Sequence, residues 1–134
     1  MKFKFILYLL IPFTLSCNKT KDFDTDAQKI TGIWIWTKSY GGFAGITYTP
    51  ESTGEIRKLS FSSSRIYKEY YNDSLVYVST YKVSETYMDF TKKISPVILF
   101  NGNPVRLYSF TDNNPLVLIY LAADGFTHSY KRIK

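Results

Sequence analysis

Leu75-Val76-Tyr77-Val78-Ser79-Thr80-Tyr81-Lys82 decides the fold: Leu75, Tyr77, Ser79 and Tyr81 fall on one side of an extended chain, and Val76, Val78, Thr80 and Lys82 on the other. A period of two, in a run rich in β-branched and aromatic residues, specifies a half-buried β-strand and not a helix, whose period is 3.6. The same period recurs on both sides. Upstream, Ile33 and Ile35 alternate with Trp34 and Trp36, and Leu59 and Phe61 with Lys58 and Ser60. Downstream, Val105 and Leu107 alternate with Arg106 and Tyr108, and Phe126, His128, Tyr130 and Arg132 alternate with Thr127, Ser129 and Lys131.

Turn residues separate these runs. Asn72-Asp73, Asn101-Gly102-Asn103-Pro104, Asp112-Asn113-Asn114-Pro115 and Asp124-Gly125 each interrupt a pattern where a hairpin is expected. Strands are therefore predicted near 31–40, 55–62, 65–71, 75–83, 87–91, 96–100, 105–111, 116–122 and 126–133, and no stretch carries a convincing helical pattern. Eight or nine short antiparallel strands joined by hairpins close most easily as an all-β up-and-down barrel, which hides its edges. One connection is longer than the rest. Residues 41–54 hold four glycines with Phe43, Ile46 and Tyr48, and two readings stand: a flap over a cavity mouth, or a further hairpin that extends the first sheet.

Composition narrows the function classes. The 134 residues include 12 Tyr, 10 Phe and 2 Trp, a wealth of rings that argues against disorder. One Cys and one His exclude a disulfide framework and a Cys/His metal cage, so no metal or cofactor is expected. The basic residues are scattered, which speaks against nucleic acid as a partner.

The chain begins with Lys2 and Lys4, then an uncharged run from Phe5 to Leu15 that is too short for the roughly twenty residues a membrane-spanning helix needs. This fits a secretory signal peptide. Ser16 and the lone Cys17 follow, and here the chain resembles a bacterial lipoprotein signal. The resemblance implies cleavage after residue 16, acyl chains such as palmitate on Cys17, and anchoring to a lipid membrane. Asn18 after the cysteine implies the outer membrane, on its periplasmic face or at the cell surface. A secreted protein with a free thiol at Cys17 is the alternative. Residues 17–29, polar with only Phe23 as a ring, read as a tether, and residues 30–134 as the folded domain.

Gly32-Ile33-Trp34 opens the first strand and Tyr130-Lys131-Arg132 lies in the last. This resembles the lipocalin and wider calycin pattern, and is similar to the small lipocalin-like lipoproteins of bacterial envelopes. The resemblance implies a barrel closed at one end by the guanidinium of Arg132 against the indole of Trp34, with Gly32 beside them, all three structural. It also implies a lid where residues 41–54 stand.

Two functional readings follow. In the first, the barrel binds a small hydrophobic or amphipathic ligand, with Phe43, Ile46 and Tyr48 on the flap and Phe61, Tyr77, Leu107, Leu118 and Tyr120 lining the interior. In the second, the barrel is packed solid and its surface binds an envelope protein or glycan. Catalysis is not expected: His128 is the only imidazole base, no nucleophile motif accompanies it, and no two carboxylates form a recognisable acid–base pair. Tyrosines in nearly every predicted strand pose the remaining question, because a buried hydroxyl needs a partner.

Overall fold

The computed structural model describes residues 23–101, 106–111, 115–121 and 125–134. The expected signal peptide, Cys17 and the Asp124 half of the last predicted turn lie outside the described residues. Among those described, the elements run α1 (Phe23–Ile30), β1 (Gly32–Gly41), β2 (Ile46–Tyr48), α2 (Pro50–Thr53), β3 (Arg57–Phe61), β4 (Ile66–Tyr71), β5 (Ser74–Met88), β6 (Lys93–Phe100), β7 (Arg106–Phe110), β8 (Leu116–Tyr120) and β9 (Thr127–Arg132).

The strands form one antiparallel sheet in the order β2-β1-β3-β4-β5-β6-β7-β8-β9, and β9 pairs back onto β1. Eight strands thus close an up-and-down barrel, as the alternation predicts, and β2 is a short extra strand beside β1. Two predicted strands, 75–83 and 87–91, are one: β5 runs unbroken from Ser74 to Met88 because β6 supplies partners along its second half, from Tyr81–Phe100 to Met88–Lys93. The Asn72-Asp73 turn has φ of 45° and 65°, the left-handed pair that a two-residue hairpin requires.

Side chains of one parity point inward. Trp34 and Trp36, Leu59 and Phe61, Tyr67, Tyr81 and Val83, Ile98 and Phe100, Tyr108, Leu116 and Leu118, and Tyr130 form one contiguous buried cluster. A bulge between Trp36 and Lys38 shifts the parity of β1. Without it Lys38 would follow the two tryptophans inward; instead Lys38 is exposed and Ser39 is 3% exposed.

No helix was expected, and two are present. The first closes the lower end of the barrel. Asp24 and Asp26 in its first turn and Lys29 in its last suit the helix dipole, but eight residues are too few for a helix to persist alone. The barrel supplies what is missing. Ala27 and Ile30 enter the core, and Tyr108 donates from its hydroxyl to Asp26 Oδ2 at 2.8 Å. Carbonyls at the helix end, unpaired within the helix, accept from the walls: Ile30 from Trp34 Nε1 at 2.8 Å, and Lys29 and Thr31 from Arg132. Residues 23–29 of the expected tether thus belong to the folded unit, which starts before residue 30, because they are a helix packed into the core; residues 17–22 lie outside the described residues.

The second helix lies in the long connection. Residues 46–48 pair with Ser39–Gly41, so the hairpin reading holds for the start of this segment. Phe43, at its turn, is 95% exposed and covers nothing. A single helical turn follows, with Thr49 and Ser52 in a reciprocal cap, Pro50 in the first turn and Gly54 in the left-handed conformation at its end.

Candidate functional site

The barrel is unequal along its axis. At mid-depth the expected lining residues Phe61 and Leu118 are 1% and 0% exposed, as are Trp36, Leu59 and Tyr67 at 1%, 0% and 0%. A side chain with no accessible surface faces no space that a water molecule could enter, so these residues are solid core. Leu107 does not line the interior. Its neighbours Arg106 and Tyr108 point inward and are buried, whereas Leu107, half-buried, shares the opposite face with Ile119 and the covered Val97. Two clefts, of about 580 Å³ beside Asp24, Arg65 and Tyr81 and about 340 Å³ beside Lys29, Trp34, Phe110 and Arg132, flank α1 at the lower end.

The upper end, opposite α1, differs in chemistry. Arg106 from β7 is 7% exposed, and its guanidinium lies 4.3 Å from the ring centre of Tyr120 and 4.9 Å from that of Phe100. Its Nη1 donates to the Tyr67 hydroxyl at 2.9 Å, and that hydroxyl donates to Glu69 Oε2 at 3.0 Å. Arg106 Nη2 stands 3.7 Å from the same carboxylate oxygen. The third nitrogen, Nε, is buried and has no hydrogen-bond partner.

A second chain of polar atoms adjoins it. Trp36 Nε1 donates to Ser39 Oγ at 2.8 Å, and Ser39 Oγ lies 2.6 Å from His128 Nδ1. With its oxygen already accepting, the serine hydroxyl best donates to Nδ1, which leaves the imidazole proton on Nε2. The ring stands edge-on to Tyr120, 4.7 Å between centres. Burial, with the positive charges of Arg57 and Arg106, pushes the His128 pKa down to about 4, so the imidazole is neutral at pH 7. Burial also raises Tyr120 to about 12 and lifts Tyr67 and Tyr130 well above the usual phenol range.

Several upper-end groups reach solvent: Tyr77 is 39% exposed, and Arg57, Glu69, Tyr120 and His128 are partly accessible. Arg57 lies over the Trp36 ring at 4.7 Å and pairs with Glu55. Tyr77 meets Tyr67 edge-on at 6.0 Å. Tyr48 and Ile46 sit on the rim, in β2, with the Tyr48 ring 6.1 Å from Phe126. Of the expected ligand residues, Tyr77 and Tyr120 therefore belong to the upper end, Ile46 and Tyr48 to its rim, Phe43 to open solvent, and Phe61 and Leu118 to the core. Arg106, Glu69 and His128 were not expected to form one site, and their convergence comes from three separate strands.

Tyr67, Tyr81 and Tyr108, all inward, have hydroxyl partners near the barrel ends. Tyr81 donates to Ser62 O at 2.9 Å and Tyr108 to Asp26, both at the lower end. The rings therefore serve as core while the hydroxyls reach polar edges. The close Ser39–His128 pair does not present a nucleophile, because Ser39 is buried and its hydroxyl oxygen is occupied by Trp36. Among the described residues no group of three or more His, Cys, Asp or Glu stands close enough to hold a metal ion. No family model matches the chain, and neither does any curated protein or solved structure.

Proposed function

We propose that the chain is an envelope lipoprotein, anchored to the outer membrane through an acylated Cys17, whose lipocalin-like barrel binds a small amphipathic ligand at its upper end. The observation that carries the binding reading is the upper end itself, where the 39% exposed ring of Tyr77 and the partly accessible charges of Arg57 and Glu69 stand over a closed core. A ligand with an acceptor oxygen would meet the Arg57 guanidinium, while its apolar part lay against Tyr77. The solid core limits how far it enters: the ligand rests at the barrel mouth and is not swallowed as a long acyl chain would be. The Arg132–Trp34 contact at the lower end supports the lipocalin-like reading, and the signal-like segment with Ser16-Cys17 supports the anchor.

Native mass spectrometry of the mature protein tests the binding. The expected result is a co-purifying small molecule that is lost in Tyr77→Ala, a variant of a partly exposed residue that leaves the core intact. A wild-type protein that carries no ligand, and whose unfolding is not shifted by any small amphiphile, would leave the other reading. In it the packed barrel binds an envelope protein or glycan, and the exposed Phe43 at the β1–β2 turn with Ile46 on the rim favour that surface. The anchor has its own test: Cys17→Ser is expected to stop processing and release the protein from membranes.

A further inference from the structure

The β5–β6 hairpin runs on past its neighbours. The β4–β5 ladder ends where Tyr81 N–H bonds Arg65 O at 2.9 Å. From Lys82 to Met88, β5 continues for about 23 Å of extended chain, with β6 as its strand partner among the described residues. At the tip, Tyr87 and Ile94 stand opposite each other in register. They are 57% and 67% exposed, and Phe90 in the turn is 68% exposed. Their parity is that of Val83 and Ile98, which enter the core, so the patch faces the α1 end of the barrel. A turn that only reversed the chain would favour Gly, Asn or Asp over a phenylalanine, and clustered exposed rings on a projecting tip mark a contact surface.

We propose that this tip docks on a lipid surface: Tyr87, Phe90 and Ile94 enter the interfacial layer of the bilayer, and Lys92 and Lys93 meet anionic headgroups. Aromatic and aliphatic side chains flanked by lysines have the chemistry of the membrane interface. Lys92 lies 3.8 Å from Asp89, but both side chains are largely exposed, so this pair is weak in water and opens readily against a negative surface. Charge at this end favours anions. Among the described residues Lys29, Arg65, Lys82, Lys92, Lys93, Arg132 and Lys134 stand here against Asp24, Asp26, Glu85 and Asp89. Three side chains are too few for a stable second copy, which needs about 800 Å² per partner. The geometry also fits the anchor proposed above, and this part of the inference rests on it: Cys17 is six residues before Phe23, so acyl chains there would hold the α1 end near the bilayer.

Phe90→Trp in the full chain provides the test, because the native Trp34 and Trp36 are buried and give a constant background. In phosphatidylglycerol vesicles with brominated acyl chains, the introduced indole is expected to shift to the blue and be quenched. Lys92→Glu with Lys93→Glu should reduce that quenching. An introduced indole that stays unquenched while Cys17 is found acylated would overturn the docking and leave the anchor standing. Quenching with Cys17 unmodified would uphold the docking and remove the anchor. A dimer in lipid-free sedimentation that Phe90→Ser abolishes would assign the tip to a second copy and overturn the proposal.

Discussion

The Arg132 guanidinium sits 4.3 Å from the ring centre of Trp34 and, from the same position, donates to the carbonyls of Lys29 and Thr31. One side chain of the last strand thereby joins the first strand and the closing helix. Gly32 makes the room: a Cβ there would lie 2.6 Å from Arg132 Nη1 and from Lys134 O, at a φ of 145°.

Arg132→Ala is expected to destabilise the barrel by about 1–2 kcal/mol, combining an exposed cation–π contact with lost helix-end hydrogen bonds. Arg132→Lys should recover only part, because an ammonium keeps the charge but not the planar fork. Gly32→Ala should cost at least as much, since both the backbone angle and the space oppose a methyl group. Denaturant unfolding measures all three, and midpoints equal to wild type would refute this account of the lower end.

Leu118 and Leu107 are the same residue type on opposite faces of neighbouring strands. Leu118→Ala is expected to cost about 2–5 kcal/mol, because it opens a cavity in a closed core. Leu107→Ala should cost markedly less. If the two variants unfold at the same denaturant concentration, the inward and outward assignment of β7 and β8 is wrong.

His128 makes stability depend on pH. Its folded pKa, about 4, lies below the ordinary value of 6.5, so between those limits the unfolded chain holds a proton that the folded chain does not. The contribution is complete above about pH 6.5 and is lost as pH falls towards 4. Carboxylates titrate at the acid end of this window, so the measurement is the difference between wild type and His128→Gln. The variant should show the shallower fall in stability from pH 6.5 to 5. Parallel curves would mean that His128 is not held neutral.

The barrel was legible because burial on one face writes a period of two directly into each strand, and because Asn72-Asp73 carries the backbone preference of its own turn. The α1 helix was not. Of residues 24–30 Ala27 and Ile30 are buried, and the helix draws its stability from Trp34, Tyr108 and Arg132, which follow it in the chain. The one-turn helix at Pro50 did leave a local signal, Thr49-Pro50 followed by Gly54, that a capping analysis could have found. Lys38 and Ser39 were beyond reach, since a bulge reverses parity without any mark in composition.

The candidate site shows the same division. Alternation tells which side of a strand a residue faces, so Tyr77 and Tyr120 could be placed on an inner face. It does not tell how deep along the axis that residue lies, and Phe61 and Leu118 share the inner face yet touch no solvent. Local pattern alone determined most of the strands and the Asn72-Asp73 turn, because each of those choices is made by a residue and its immediate neighbours. Only the tertiary structure decided that Arg106, Glu69, Tyr67, Tyr120 and His128 converge, because burial and charge at a point belong to all the strands that meet there.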